Sequence, residues 1–298
     1  MKKALFLLFA GIAVAFTACK KKNDEDPKLI FKFKFDPAQA RLNNFGQPAT
    51  VPAGNATQTP AFNTMSAHYI ELTPGAATAL GAGAVLYKAA EVTTGGENAI
   101  DFSKSNPVGN NAEFFSIPLK DVPAGSYEWI RVSLAYQNYD INFRIKNPLD
   151  TTQVLDLTGT LASFIGYNTY LTSYKIKNQT IQVNDDKKQG YWGFETSAFG
   201  QYFTTTGQAS AGATTVVNPL FASSPIPAGS CVVTGAFDQK LEITGEETSD
   251  IVVTISLSIN ESFEWNDSNS PDGKYQPDKG DFPVDMGVRG MVPSWTKE

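Results

Sequence analysis

The chain reads as all-β, an antiparallel β-sandwich with few short helices, and three observations predict it. Runs of β-branched and aromatic residues are separated by clusters of Gly, Pro, Asn, Ser and Thr, and no long segment carries the 3.6-residue apolar period of an amphipathic helix. Leu29 to Phe35 alternates cleanly, with Phe31, Phe33 and Phe35 on one face and Lys32 and Lys34 on the other, the pattern of a half-buried strand. Ile251 to Ile259 is equally regular, turning Ile251, Val253, Ile255, Leu257 and Ile259 inward and Thr254, Ser256 and Ser258 outward. With 298 residues the chain can bury one large β core or two smaller stacked units. The body spans 28–298, with a candidate sub-boundary near 148.

Taken in order, Leu29 to Phe35 is the first strand, and Ile251 to Ile259 is a candidate neighbour in the same sheet. Ile130 to Ile145 changes phase. Ile130, Val132, Leu134 and Tyr136 share one parity, and Tyr139, Ile141, Phe143 and Ile145 take the other. An extra residue near Gln137-Asn138 restores a single apolar face, as a β-bulge does; two strands joined by a tight turn are the alternative. Lys175 to Val183 and Gly190 to Thr196 flank Asn184-Asp185-Asp186-Lys187-Lys188-Gln189, which has the composition of a long hairpin connection. Small-residue stretches at Gly46 to Thr64 and Thr204 to Ser224 read as surface loops, plausible places for partner recognition. Pro118-Leu119 with Pro123-Ala124-Gly125-Ser126 is echoed by Pro219-Leu220 with Pro227-Ala228-Gly229-Ser230. Either shared turn chemistry or a duplicated unit produces such an echo.

The N-terminus carries an address. Lys2 and Lys3 precede an apolar run, Ala4 to Phe16, that is too short to cross roughly 30 Å of hydrocarbon. It closes on Phe16-Thr17-Ala18-Cys19. This pattern resembles a bacterial lipobox, which implies a signal peptide over 1–18, cleavage before Cys19, diacylglycerol on its thiol and an acylated new terminus. Several acyl chains, at about 0.8 kcal/mol per buried methylene, anchor stably where one is marginal. Residues 19–27, with Lys20 to Asp26 reading KKKNDED, form a charged tether too polar to bury. Acidic residues just after the cysteine resemble the surface-export signal of lipoproteins in Bacteroidota-type bacteria. The resemblance implies the outer membrane, facing outward; a spacer on a periplasm-facing lipoprotein is the other reading. The Pro-Ala-Gly strand starts and the closing acidic loop also look like such lipoproteins, which implies location and no activity.

The charge balance is 24 basic against 30 acidic residues, and cleavage at Cys19 removes two of the lysines. Nucleic acid is therefore not an expected partner. Of the two cysteines, Cys231 opens the apolar run Cys231-Val232-Val233 and reads as a buried strand position, so no disulfide is expected. The single histidine, His68, lies beside Tyr69 in an apparent strand, and no G-x-S-x-G, H-E-x-x-H or phosphate-cradling Gly loop occurs. No enzyme is expected, although 30 acidic residues leave a carboxylate-pair glycoside hydrolase open. Asp150-Thr151-Thr152 resembles the D-[ST]-[ALIVMT] O-glycosylation acceptor of the same bacterial group; a plain turn after Pro148 is the default.

Two constellations remain as candidate sites. Trp265 to Tyr275 resembles the D-x-[DN]-x-D-G calcium loop, in which short acidic and amide side chains two apart converge on a hard cation and the glycine permits the turn. Pro271 is an insertion, the twelfth position falls on Lys279, and flanking helices are absent. The candidate ligands for a structural Ca²⁺ are Asp267, Asn269, Asp272, Asp278 and Asp281; an Asx-rich turn is the plain alternative. The second constellation is aromatic: Phe164, Tyr167, Tyr170, Tyr174, Tyr191, Trp192, Phe194, Tyr202 and Phe203. Flat rings beside Asn, Gln and Asp suit a sugar, whose C–H faces stack while its hydroxyls bond. Tyr191, Trp192, Tyr167 and Tyr170 are the candidate ligand-binding residues, weighed against ordinary core packing. The exposure of Trp192 separates recognition from scaffold. The expected function is a lipid-anchored, non-catalytic envelope protein that binds a glycan or surface protein or has a structural role, with glycan capture or glycoside hydrolysis within a polysaccharide-use system as the alternative.

Overall fold

A computed structural model describes residues 26–43, 46–209, 230–269 and 271–298. The first third of the chain forms β1 (Lys28–Asp36), β2 (Asn55–Gln58), β3 (Ala61–Thr73), β4 (Ala84–Lys88), β5 (Glu91–Val92), β6 (Ala99–Asp101) and β7 (Glu113–Pro118). The middle forms β8 (Gly125–Asn147), β9 (Asp150–Phe164), β10 (Asn168–Lys175), β11 (Thr180–Lys188), β12 (Tyr191–Ala198) and β13 (Gln201–Gln208). The last third forms β14 (Cys231–Ile243), β15 (Ile251–Ser258), β16 (Phe263–Asn266), β17 (Phe282–Met286) and β18 (Met291–Lys297). Strand accounts for 61% of the structure and helix for 4%, so the chain is all-β as its patterning predicts.

The 23-residue β8 organises the fold because it is long enough for one edge to serve two partners in succession. Gly125 to Leu134 pairs with β14 and Tyr136 to Asn147 with β9, while β3 runs along the other edge. The result is a seven-stranded sheet in the order β13-β12-β9-β8-β3-β4, with β14 beside β8. Two smaller sheets, β18-β15-β1-β7 and β17-β16-β2, contribute to the cores on one face of it, and β11-β10-β6-β5 packs on the other.

The phase change in β8 is a bulge within one continuous strand. Ser66 pairs with Tyr136 and Ala67 with Leu134, so Ala135 is the extra residue, two positions before the expected site. The bulge returns Tyr139 and Ile141 to the face of Ile130, Val132 and Leu134, and turns Tyr136 to the opposite face against Phe164. Both faces of the strand are covered, which explains an apolar run with no single parity.

β1 and β15 are neighbours, paired in parallel from Leu29↔Ile251 to Asp36↔Ser258, and β6 pairs with β10 in parallel too; the other ladders are antiparallel. Phe31, Phe33, Val253 and Ile255 bury against Ile70, Val132 and Leu134 of the large sheet. Cys231 is a free, buried cysteine at the start of β14, and burial pushes its thiol up to about 12.

Three local expectations need correction. Lys175 to Val183 is not one strand, since Ile176 to Gln179 turns between β10 and β11. Asn184 to Lys188 is not a connecting loop but part of strand β11, paired with β10, whereas β12 pairs with β9 and β13. Its charges signalled a loop, yet β11 is an edge strand, where exposed charges are tolerated and discourage further pairing. The expected loop at 46–64 also contains β2 and the start of β3, and the one at 204–224 begins with the end of β13, a threonine-rich exposed edge, while its residues 210–224 lie outside the described residues.

Position 148 is the turn of the β8–β9 hairpin inside the large sheet. Asp150 Oδ1 accepts from the Thr152 N–H and hydroxyl, a local turn at the start of β9. Cys19, the signal peptide and the tether up to residue 25 lie outside the described residues. So does the second Pro-Leu/Pro-Ala-Gly copy apart from Ser230.

Candidate functional site

At the end of the large sheet where Ile141, Leu161, Trp192 and Phe194 share a face, the opposing cover among the described residues is the short strands β2, β16 and β17 with Tyr275 and Pro277 of the β16–β17 loop, and packing is incomplete. A cavity of about 450 Å³ remains between Ile141, Phe143, Leu161, Trp192 and Phe194 on one wall and Phe263, Phe282 and Met286 on the other. Its size falls in the usual range for small-ligand sites, roughly 300–1,000 Å³. Thr205, Gln208 and Asp285 are the few polar residues around it.

Two glycines let the aromatic rings lie flat on the sheet. A Cβ at Gly207, the cross-strand partner of Trp192, would meet the indole at 2.4 Å; one at Gly159 would meet the Phe194 ring at 2.1 Å. Trp192 is consequently half-buried, seated over Gly207 and facing the cavity. Phe194 packs edge-on against Phe143, with centroids 5.4 Å apart.

A second, more polar cavity of about 400 Å³ adjoins it, lined by Gln58, Asn142, Arg144, Asp156, Thr158 and Lys274 together with Trp265. Phe143 and Tyr275 line both chambers. Arg144 is pinned by Asp156 through Nε (2.7 Å) and Nη2 (2.9 Å), and its backbone N–H donates to the Tyr275 carbonyl. Burial, then the charge of Asp281, pushes the Tyr275 hydroxyl up to about 12, so it is a neutral donor at physiological pH.

The cover is held by buried charge. Arg41 donates to Glu264 at 2.8 Å and Asn55 to the other carboxylate oxygen at 2.6 Å, while Arg289 lies 3.5 Å from Glu264 and pairs with Asp285 at 2.5 Å. The network ties the segment after β1 to β16, β17 and the connection to β18.

The four predicted ligand residues are not brought together. Adjacent residues of a strand point to opposite faces, so Trp192 faces the cavity while Tyr191 is buried on the far side against Phe164 and Tyr174. Tyr167 lies on that far side too, packed on His68 and accepting from the Asn98 amide at 3.0 Å; Tyr170 is half-buried on β10 opposite Asp186. Tyr202 and Phe203 are exposed on β13. Trp192 alone of the four belongs to the site. His68 is fully buried, its Nε2 3.0 Å from Glu91, and burial lowers its pKa against the opposing pull of Glu91.

The acidic loop is a closed turn between β16 and β17. Asp267 Oδ2 accepts from Gly273 N (2.9 Å) and Asp281 Oδ2 from Gln276 N (2.7 Å); Asp272 accepts from Lys274 N and the Gln276 amide; Asn269 reaches the Gly280 carbonyl at 3.4 Å. Gly273, at φ +70°, makes the turn the sequence motif requires. Asp278 is drawn away to the Lys146 backbone N–H at 2.8 Å. Burial, then the neighbouring charges of Asp267 and Asp272, raises the Asp281 carboxyl above its ordinary value despite the bond from Gln276.

Sequence reasoning missed Phe282-Pro283, Val284 and Met286, the far wall. A proline inside an apolar run marks an edge strand, the one signal available. Comparison with protein-family models, with curated proteins and with solved structures returns no match.

Proposed function

We propose that this protein is a non-catalytic, lipid-tethered envelope protein that captures a small amphipathic ligand, its apolar part in the chamber under Trp192 and its polar part beside Asn142 and Arg144. The observation that carries this reading is the aromatic-lined cavity of about 450 Å³ sharing Phe143 and Tyr275 with a polar chamber. The tether supports it. The chain enters the fold at Lys28, and Phe35 near the far end of β1, roughly 23 Å on at about 3.3 Å per residue, packs on Phe62 and through it on Tyr139, in the same cluster as Ile141 and Leu161. An anchor at Cys19 joins the fold at the Lys28 end of β1, and the cluster of Tyr139, Ile141 and Leu161 packs toward its other end.

Titration of the mature protein with an apolar naphthylamine fluorophore tests the site. Trp192→Ala weakens binding at least tenfold; equal affinity in both proteins rejects it. Cys19→Ser moves the protein from the membrane to the soluble fraction, and unchanged membrane retention rejects the tether. Glycan capture is the second reading, favoured by the polar chamber, where the Phe143 and Tyr275 rings lie beside Asn142, Gln58 and Asp156. Retention on a polysaccharide array that is lost in Asn142→Ala and kept in Trp192→Ala selects it.

A further inference from the structure

We propose that the loop joining β16 to β17 holds a Ca²⁺ ion between the carboxylates of Asp267 and Asp281. Both side chains are buried, at 6% and 4% exposure. Each spends Oδ2 on one backbone N–H, and each keeps an Oδ1 that is buried without a hydrogen-bond partner. Burying a carboxylate without full compensation is costly, and two in one short loop point to a counter-ion. No ion pair supplies it: among the described residues neither Asp267 nor Asp281 forms a salt bridge, and Lys279 reaches Asp272 at 4.0 Å while acting on Asp281 only through its more distant charge.

The chemistry selects the ion. Among the described residues no three His, Cys, Asp or Glu side chains gather around one point, so thiolate and imidazole sets are not available to a softer metal. Two carboxylate oxygens, with amide, carbonyl and water oxygens to complete six to eight ligands, suit Ca²⁺. Asn269, whose amide nitrogen reaches the Gly280 carbonyl beside Asp281, carries an amide oxygen in the same loop. Asp272 is occupied by Lys274 N and Gln276, and Asp278 by Lys146 N, so neither is a ligand here. The same loop carries Tyr275 and Pro277 onto the cavity wall, so the ion fixes that wall. The proposal stands on the two orphaned oxygens and holds whether or not the cavity binds the ligand proposed above.

Calorimetric titration of the mature protein with CaCl₂, with thermal unfolding in EDTA and in excess Ca²⁺, tests it. Binding heat and a Tm about 5 °C higher with Ca²⁺ are expected, since a ligand that binds only the folded state stabilises it. Asp267→Asn with Asp281→Asn removes the shift while leaving the Tm in EDTA equal or higher, because two buried charges are gone. Asp278→Asn keeps the shift. Identical Tm in EDTA and Ca²⁺ for the wild type overturns the proposal, as does a shift that survives in the double variant.

Discussion

The two ends of the large sheet are covered differently. Over Ile130, Val132 and Leu134 lie strands of nine and eight residues, β1 and β15, flanked by β7 and β18, and their inward Phe31, Phe33, Val253 and Ile255 are fully buried. Over Ile141, Leu161 and Phe194 lie β2, β16 and β17, of four, four and five residues, and two cavities remain. A ladder's length sets how much apolar face it can cover, so long strands close a core and short ones leave room. The short cover is held instead by the Arg41–Glu264–Arg289–Asp285 charges, which need few residues to fix a position. One sheet thus backs a closed core at one end and a pair of cavities at the other.

The largest expected effect breaks the comparison most directly. Phe33→Ala, in the closed core, costs about 3–5 kcal/mol in urea unfolding, whereas Phe282→Ala, at the cavity rim, costs under about 1 kcal/mol. Equal losses would mean the ends are packed alike. Enlarging residues sharpens the contrast: Val253→Trp overpacks the closed core by about 3 kcal/mol, while Val284→Trp fills the cavity, leaves stability within about 1 kcal/mol and abolishes fluorophore binding.

The smallest effect concerns the far face of β12. Glu195, buried there, accepts from the backbone N–H groups of Lys177, Asn178 and Gln179 at 2.9–3.0 Å. Burial alone would raise its carboxyl, but these donors outweigh burial and hold it below the ordinary value of 4.5. Its folded pKa is depressed, so its stabilisation is present above 4.5 and is lost as pH falls below it. Glu195→Gln turns an amide donor toward backbone donors, costs about 1–3 kcal/mol near neutrality and flattens the acid side of the stability profile. An unchanged acid slope would show that the turn between β10 and β11 is held by other contacts.

The amino-acid order by itself determined the strand class, the alternating faces of β1 and β15 and the phase change in β8, because a period of two is written locally in side-chain polarity, while the pairing decided that the change is a bulge at Ala135. It also marked Trp265 to Asp281 as a candidate calcium loop or an Asx-rich turn. Tertiary structure alone decided that Trp192 and Tyr191, neighbours in the chain, serve a cavity and a core respectively, since which face of a strand is covered depends on sheets formed by distant residues. It alone decided that β11 is a strand despite its charges, because an edge has one unpaired side in water. The cavity itself is where two apolar walls stop short of each other, and such a gap is a property of packing with no local signal in the chain.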